Sequence, residues 1–302
     1  MASQDPSGAA PSTPLTRPRS RLWKWTRRRP RAISLASVAL LIVTIVLVFA
    51  LSPGAQSFGH FFLSPHYLRL AFFGDESQSV PPMWQAFLKN VGLCLVAEVL
   101  VLLWALPVAL LRMSKSALLA GPRLLATFYV DLARGLPLIL VVLAVYFGFP
   151  QLEIPFVSSR TWFEYGLFCL VFCYGAYVSE VYRAGVAAVP FAQTLAGKAI
   201  GLNQVQVLRY VTIPQALRIV IAPLINDFVS LQKDTAIIGI GAGVIEVLKA
   251  AQINQGVYFN DTSYAAAGLL FLAICVPLTR LAEHFQAKDQ ELRLAGAIQV
   301  TA

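Results

Sequence analysis

The segment QTLAGKAIGLNQVQVLRYVTIP, residues 193–214, lies between two strongly apolar runs and carries two glycines. Leu195, Ala199 and Leu202 recur at helical spacing, so the first half of the segment predicts an amphipathic helix. Gly201 predicts the end of that helix, because glycine adopts the left-handed backbone of a helix end without a steric penalty. The segment therefore begins as a short helix with one apolar stripe.

A second short helix is predicted directly after the glycine. Asn203 and Gln206 have the three-residue spacing of a capping box. Pro214 suits the first turn of a following helix, because proline lacks the N–H group that would be unpaired there. An apolar finger of this kind fits a groove on a partner protein. Alternatively, it packs beneath its own helix bundle, and the sequence leaves both interpretations open.

The composition indicates an integral membrane protein. The chain has 302 residues, of which 57% are hydrophobic and 13% are charged, and its mean hydropathy is +0.67. A soluble domain carries about 25% charged residues. The cysteines and histidines show no metal-site spacing, so no metal is predicted. All four cysteines fall in apolar runs and are predicted to be small buried hydrophobes: Cys94, Cys169, Cys173 and Cys275.

We predict an all-α membrane protein with six transmembrane helices, because a spanning helix needs about 20 mostly apolar residues. The six runs are residues 32–51, 91–111, 124–149, 162–187, 216–240 and 265–281.

The placement of basic residues predicts the orientation. Residues 1–31 hold eight lysines and arginines against Asp5 alone, which accounts for +7 of the net charge of +9. This basic segment adjoins an apolar run, so it indicates a topology signal rather than a nucleic-acid-binding face. The basic excess recurs on alternate connectors, which predicts that both termini are cytoplasmic. The composition before Arg17 is typical of a disordered tail.

A broken helix is predicted in the third run. Asp131 and Arg134 lie one turn apart, just before a break at Gly135, Leu136 and Pro137. Broken helices at membrane depth line cavities, and arginine suits bidentate capture of a carboxylate. These residues are therefore candidates for a substrate pathway. An ion pair between Asp131 and Arg134 near the membrane surface is the alternative.

Charged residues also interrupt the fifth run. Asn226 and Lys233 share one helix face, and Asp227 and Asp234 share the neighbouring face. A stripe with both signs of charge fits recognition of a zwitterion. Pairing between helices would explain it equally well.

Glu180 and Arg183 lie three residues apart at the end of the fourth run. Their spacing allows an ion pair on one helix face, and we predict that the pair orients the segment that follows.

The segment that opens this section resembles the EAA motif of ABC importer permeases. In that family Glu-Ala-Ala is followed, four residues beyond the second alanine, by a glycine and then by an apolar-x-apolar-Pro close. Leu195 stands where the glutamate is expected, and Gly197 replaces the second alanine. The matching positions are Ala196, Gly201, Val211, Ile213 and Pro214.

Three further segments resemble polar amino-acid importer permeases of the histidine, glutamine and glutamate type. The resemblance covers residues 87–288, and Leu136 replaces the usual threonine. The segments are ARGLPL (133–138), YGAYVSEVYRAGVAAVPFAQ (174–193) and PQALRIVIAPLINDFVSLQKDTAI (214–237).

The resemblance implies a type I ABC importer permease of a bacterial inner membrane. The partners would be two ATPase subunits, a second permease subunit, an external amino-acid-binding protein and membrane lipid. ATP and Mg would belong to the ATPase, and the chain contains no phosphate-binding loop of its own. The residues implied in coupling to the ATPase are Leu195, Ala196, Gly197, Gly201, Asn203, Ile213 and Pro214.

The expected organisation places an extra helix in front of a five-helix permease core. The parts are a basic cytoplasmic tail (1–31), the extra transmembrane helix (32–51), an external phenylalanine-rich segment (52–85), the core (86–288) with its coupling region (188–214), and a cytoplasmic tail (289–302).

Three other functions compete with an ATP-driven importer. An ion-coupled amino-acid carrier would use Asp227, Lys233 and Asp234 as a relay, but it gives the finger no role. An intramembrane enzyme lacks a nucleophile elbow or a zinc-binding His pair in this sequence. A scaffold without transport would tolerate loss of Arg134 and Lys233. The motifs together favour the importer, a transporter subunit that is not itself an enzyme.

Overall fold

The computed structural model describes residues 30–301, and it describes side chains at residues 36–241 and 243–288. Within that part all helical and sheet structure is helix, apart from one isolated bridge between Asp75 and Val80. The disorder predicted before Arg17 falls on residues outside the described part. The chain divides into two compact units, Met1–Phe58 and Gly59–Ala302.

The first unit holds helix α1 (Pro30–Leu51). Its sequence is almost entirely aliphatic, and every side chain from residue 36 to residue 51 is exposed. Aliphatic side chains around the whole circumference of a helix suit a lipid environment.

The remaining helices follow in chain order. They are α2 (Ala55–Phe62), α3 (Pro65–Phe73), α4 (Met83–Met113), α5 (Ala120–Gly135), α6 (Leu138–Leu143), α7 (Pro155–Ser158), α8 (Trp162–Ala187), α9 (Phe191–Ala199), α10 (Gln204–Val207), α11 (Ile213–Ala242), α12 (Val247–Tyr258) and α13 (Thr262–Thr301).

The predicted fold class is confirmed. Four helices are long and apolar enough to cross a membrane, and the number rises to six if each of two bent pairs is one span. The straight candidates are Met83–Met113, Trp162–Ala187, Gln204–Gly241 and Thr262–Lys288.

The third predicted span is not one straight helix. Helix α5 and the helical segment Leu138–Leu152, which begins with α6, meet at an angle of 104°. Leu136 has an extended backbone, with φ −97° and ψ 133°, because the proline ring clashes with a helical conformation of the residue before it. Pro137 then starts the new direction, so the break falls at the predicted residues.

The second finger helix is continuous with the helix that follows it. Residues 204–241 form one span, in which a π-helical turn at Leu208–Thr212 joins α10 to α11. The predicted short helix and the helix that follows it are both present, and they are joined without a break. Pro214 lies in the first turn of α11, where the change of hydrogen-bond register accommodates its missing N–H.

The core of the second unit packs α8 between α4 and α11. Leu93, Leu170 and Leu231 are almost completely buried there. Small residues allow the helices to approach closely, as in other membrane bundles. A side chain at Gly185 on α8 would overlap Val220 on α11, so this contact fixes how the end of α8 lies before the finger begins.

A buried carboxylate anchors α12. Glu246 accepts hydrogen bonds from the N–H groups of Leu248 (2.9 Å) and Lys249 (2.7 Å) and from the Asn90 amide (3.2 Å). Burial raises the pKa of the Glu246 carboxyl, whereas these hydrogen bonds lower it. The contact with Asn90 ties the start of α12 to helix α4.

Candidate functional site

The elbow after α9 is a Schellman motif built on Gly201. The N–H group of Leu202 donates to the carbonyl of Gly197 at 3.1 Å, and the N–H group of Gly201 donates to the carbonyl of Lys198 at 3.0 Å. Gly201 has a φ of +89°, a region that residues with a side chain rarely adopt. The predicted glycine end of the helix is confirmed.

The start of α10 is also as predicted. The Asn203 side chain accepts a hydrogen bond from the Gln206 N–H, and the Gln206 side chain accepts one from the Asn203 N–H, both at 2.9 Å. The capping box satisfies backbone donors that would otherwise be unpaired. Together with the Schellman motif it holds the elbow at a fixed angle.

One side of α9 packs on its own chain. Gly197 is buried, and a Cβ atom there would lie 3.3 Å from Val207 and 3.4 Å from Val211. The glycine at the second alanine position of the motif therefore permits close contact between α9 and the turn that begins the next span.

The opposite side of the elbow is apolar and exposed. Leu195, where the motif glutamate is expected, is 48% exposed. Among the helix-stripe residues, Ala199 is exposed and Leu202 is half-buried. A row of exposed large apolar side chains surrounds the elbow: Phe191, Leu195, Ile200, Val205 and Leu208. Packing on its own chain thus accounts for only one face of the finger.

An ion-pair network lies where α8 leads into the finger. Glu180 accepts a hydrogen bond from Arg112 at 2.7 Å and also pairs with Arg183. The sequence predicted the contact within α8 but missed Arg112, since nothing in the sequence shows that the end of α4 reaches this turn. The shared carboxylate links α4 to α8 directly before α9.

Glu180→Gln is expected to lower the free energy of unfolding by about 1–2 kcal/mol, because two arginines lose their common carboxylate. A fully buried pair typically costs about 3–5 kcal/mol to break, and partial solvent contact reduces that figure. Chemical denaturation in detergent measures the change. Glu283→Gln is the matched control, since its pair with Arg280 is largely exposed. Equal effects of the two variants would contradict the structural role of Glu180.

A cavity of about 330 Å³ lies between the helix break, α8 and α11. Its lining residues are Leu136, Pro137, Leu138, Cys173, Tyr174, Tyr177, Asp227, Ser230 and Asp234. The structure therefore brings four sequence-predicted residues together: Leu136, Pro137, Asp227 and Asp234.

The other four pathway candidates lie outside this lining. Arg134, Gly135, Asn226 and Lys233 are exposed. The Arg134 guanidinium lies 5.5 Å from the ring centre of Tyr177, a cation–π geometry. Because Tyr177 lines the cavity, Arg134 lies at its edge. This contact takes the place of the alternative ion pair with Asp131.

The charged groups that line the cavity are the carboxylates of Asp227 and Asp234. Asp234 accepts a hydrogen bond from the Tyr174 hydroxyl at 2.7 Å. One carboxylate oxygen of Asp227, Oδ2, is buried and has no hydrogen-bond partner among the described residues. An unpaired buried carboxylate oxygen costs on the order of 1–3 kcal/mol or more. The arrangement can therefore bind a cationic or strongly donating group such as an ammonium.

Sequence reasoning missed the α8 side of the cavity. Tyr174 and Tyr177 lie three residues apart and therefore on one helix face. Ser230 follows Asp227 by three residues and precedes Asp234 by four, so helical spacing alone could have found it. The two tyrosines carry no charge and gave no comparable signal.

Comparisons with known proteins place the chain in a family. Residues 102–288 match the family described as "Binding-protein-dependent transport system inner membrane component". The probable glutamine ABC transporter permease protein GlnM of Bacillus subtilis is 30% identical over 155 residues, which are 51% of this chain and 70% of that protein. The arginine ABC transporter permease protein ArtQ of Haemophilus influenzae is 31% identical over 198 residues, 64% of this chain and 86% of that protein.

A solved structure is also similar to this chain and is likewise that of an amino-acid ABC transporter. The crystal structure of an amino acid ABC transporter with histidines aligns with a TM-score of 0.61 at 27% identity, covering 68% of this chain and 94% of that chain. The matched family region contains the break, α8, the finger, α11 and most of α13. The chain therefore belongs to the family of inner membrane components of binding-protein-dependent transport systems, which confirms its resemblance to amino-acid ABC importer permeases.

Proposed function

We propose that this chain is the permease subunit of an ATP-driven amino-acid importer. The observation that carries the proposal is the geometry of residues 191–207, in which α9, the elbow at Gly201 and α10 are held at a fixed angle. This segment presents exposed apolar side chains beside the spanning helices. Such a surface suits a groove on a partner. The partner would be an ABC ATPase dimer that holds ATP and Mg, so this chain would catalyse no hydrolysis itself.

The transport cycle follows from coupling the elbow to the spans. Because α10 continues into α11, a movement of the elbow is transmitted to the helix that carries Asp227 and Asp234. Binding of ATP to the partner would favour one arrangement of the bundle, and hydrolysis would favour the other. Alternating access of this kind requires that the nucleotide state of the partner changes the relative stability of the inward-open and outward-open conformations. A second permease subunit would complete the pathway, and an external binding protein would supply the cargo.

The cavity supports an amino acid as the transported substrate. The carboxylates of Asp227 and Asp234 suit the ammonium group, and Arg134 at the edge suits the carboxylate. The relatives are named as permeases for glutamine and arginine, which accords with this chemistry. We place the chain in a bacterial inner membrane with both termini cytoplasmic, since the basic connectors lie on the side of α9.

Reconstitution in vesicles tests this function. The full chain is reconstituted with an ABC ATPase and an amino-acid-binding protein from the same organism, and uptake of labelled amino acids is measured. Uptake should require ATP and persist when the proton gradient is collapsed. Uptake that follows the proton gradient and ignores ATP would instead support the ion-coupled carrier.

Arg134→Ala is expected to reduce uptake about tenfold without reducing assembly with the ATPase. A cation–π contact and a charge-assisted hydrogen bond are each worth roughly 1–2 kcal/mol, and 1.4 kcal/mol corresponds to a factor of ten. Uptake and co-purification are measured side by side, with the exposed Arg69→Ala as the control. A defect in assembly alone would make Arg134 a structural residue.

A further inference from the structure

A basic recess lies at the end of the bundle that carries α9. It has a volume of about 860 Å³ and is lined by residues from α4, α8, α9 and α10 and from the connectors between them. Its charged lining residues are Arg112, Lys115, Arg183 and Lys198, with no acidic residue among them. A second recess of about 480 Å³ shares Arg112 and Arg183 and adds Arg123.

The positive charge of these recesses is only partly compensated. Glu180 pairs with both Arg112 and Arg183, so one negative charge faces two arginines. The guanidinium of Arg123 donates to the carbonyl of Ser114 at 2.8 Å, which is a neutral partner. Lys115 is exposed on the connector after α4. The site therefore attracts an anion.

An apolar groove of about 540 Å³ adjoins the basic recess. It runs between the ends of α4 and α8 and the start of α11. Leu110 and Leu217, two of its lining residues, are 52% and 55% exposed. Met113, Val186 and Leu208 line both the groove and the basic recess, so the two spaces are continuous.

We propose that the recess and the groove together bind one anionic phospholipid. The phosphate headgroup lies among Arg112, Lys115 and Arg123, and an acyl chain lies along Leu110 and Leu217. Basic residues at the membrane surface attract anionic headgroups by about 1 kcal/mol each. Acyl chains match the aliphatic lining of the groove.

Other occupants would fill only one of the two spaces, the basic recess or the apolar groove. A transmembrane helix of a second subunit would cover the groove but leave Lys115 and Arg123 without an anion. A free phosphate ion would fill the recess and leave the groove empty. The three shared lining residues favour a single molecule with a charged head and an apolar tail. The recess shares Phe191, Val205 and Leu208 with the exposed apolar row of the finger, so the proposed headgroup site lies on the opposite, α4 side of the recess.

Native mass spectrometry of the delipidated full-length chain tests the proposal. Phosphatidylglycerol is added in one series and phosphatidylcholine with the same acyl chains in another. We expect phosphatidylglycerol to bind at least about tenfold more tightly. The double variant Lys115→Gln with Arg123→Gln should lose about thirtyfold in affinity for it, whereas Lys115→Arg should keep the affinity. Arg218→Gln is the control, because Arg218 is exposed and lines none of these spaces.

A separate variant tests the groove. It keeps the proposal testable even if the double variant does not fold. Leu110→Trp fills the groove at an exposed position and should lower the affinity for phosphatidylglycerol severalfold. Three results would overturn the proposal: equal binding of both lipids, an equal loss in Arg218→Gln, or displacement of phosphatidylglycerol by millimolar inorganic phosphate. The last result would show a site for free anions.

Discussion

Gly201→Pro is expected to reduce ATP-dependent uptake at least tenfold while the membrane bundle stays folded. Proline fixes φ near −65°, whereas Gly201 has a φ of +89°. The substitution also removes the N–H group that donates to the Lys198 carbonyl. The Schellman motif therefore cannot form, and α9 leaves its fixed angle to α10.

Uptake in vesicles and ATPase activity of the assembled transporter are the two measurements. We expect at least a tenfold loss of uptake, because strain of about 1–3 kcal/mol at the elbow favours other arrangements. ATP hydrolysis should persist without responding to the binding protein. Gly201→Asn is the control, since asparagine tolerates the left-handed region better than other residues with a side chain. Normal ATP-driven uptake by Gly201→Pro would rule out the elbow as the coupling element.

Asp227→Asn is expected to reduce uptake about thirtyfold or more. The Oδ2 atom of Asp227 is buried beside the cavity without a hydrogen-bond partner among the described residues. A hydrogen bond to a charged group contributes about 1.5–3 kcal/mol, and 2 kcal/mol corresponds to a factor of about 30. Asparagine keeps the size of the side chain but offers a neutral amide to the ammonium.

The KM for the delivered amino acid and the maximal uptake rate separate a binding defect from a folding defect. Asp131→Asn is the matched control, since Asp131 is an exposed carboxylate on α5 that does not line the cavity. Thermal unfolding of the purified variant should match the wild type or rise slightly, because an unpaired buried charge is removed. Unchanged uptake kinetics in Asp227→Asn would remove the cavity from the substrate pathway.

The sequence predicted the features that depend on neighbouring residues. The bounds of α8, the left-handed Gly201 and the capping box of Asn203 all agree with the structure. Each is determined within a few residues, by apolar length, by the absence of a Cβ atom or by one side-chain hydrogen bond. The position of the break before Pro137 was predictable for the same reason.

The features that the sequence did not predict depend on how helices meet. Whether Tyr174 reaches Asp234, or Arg112 reaches Glu180, is set by the rotation and crossing of helices that are far apart in the chain. The 104° angle at the break is another such feature, since α6 packs against α8 and α11, which come later in the chain. Local patterns give the position of a bend but not its direction.

Site-specific cross-linking is the most direct test of the central claim, that the elbow seats on an ATPase subunit. The four native cysteines are all buried, so a cysteine introduced by Ile200→Cys, at a side chain that is 79% exposed, will react selectively. In membranes containing the co-expressed ATPase, a short cross-linker should join Ile200→Cys to that subunit. Phe156→Cys, also highly exposed but on the short helix α7 before α8, should give no such product. Cross-links from Ile200→Cys only to this same chain, with none to the ATPase, would contradict the account.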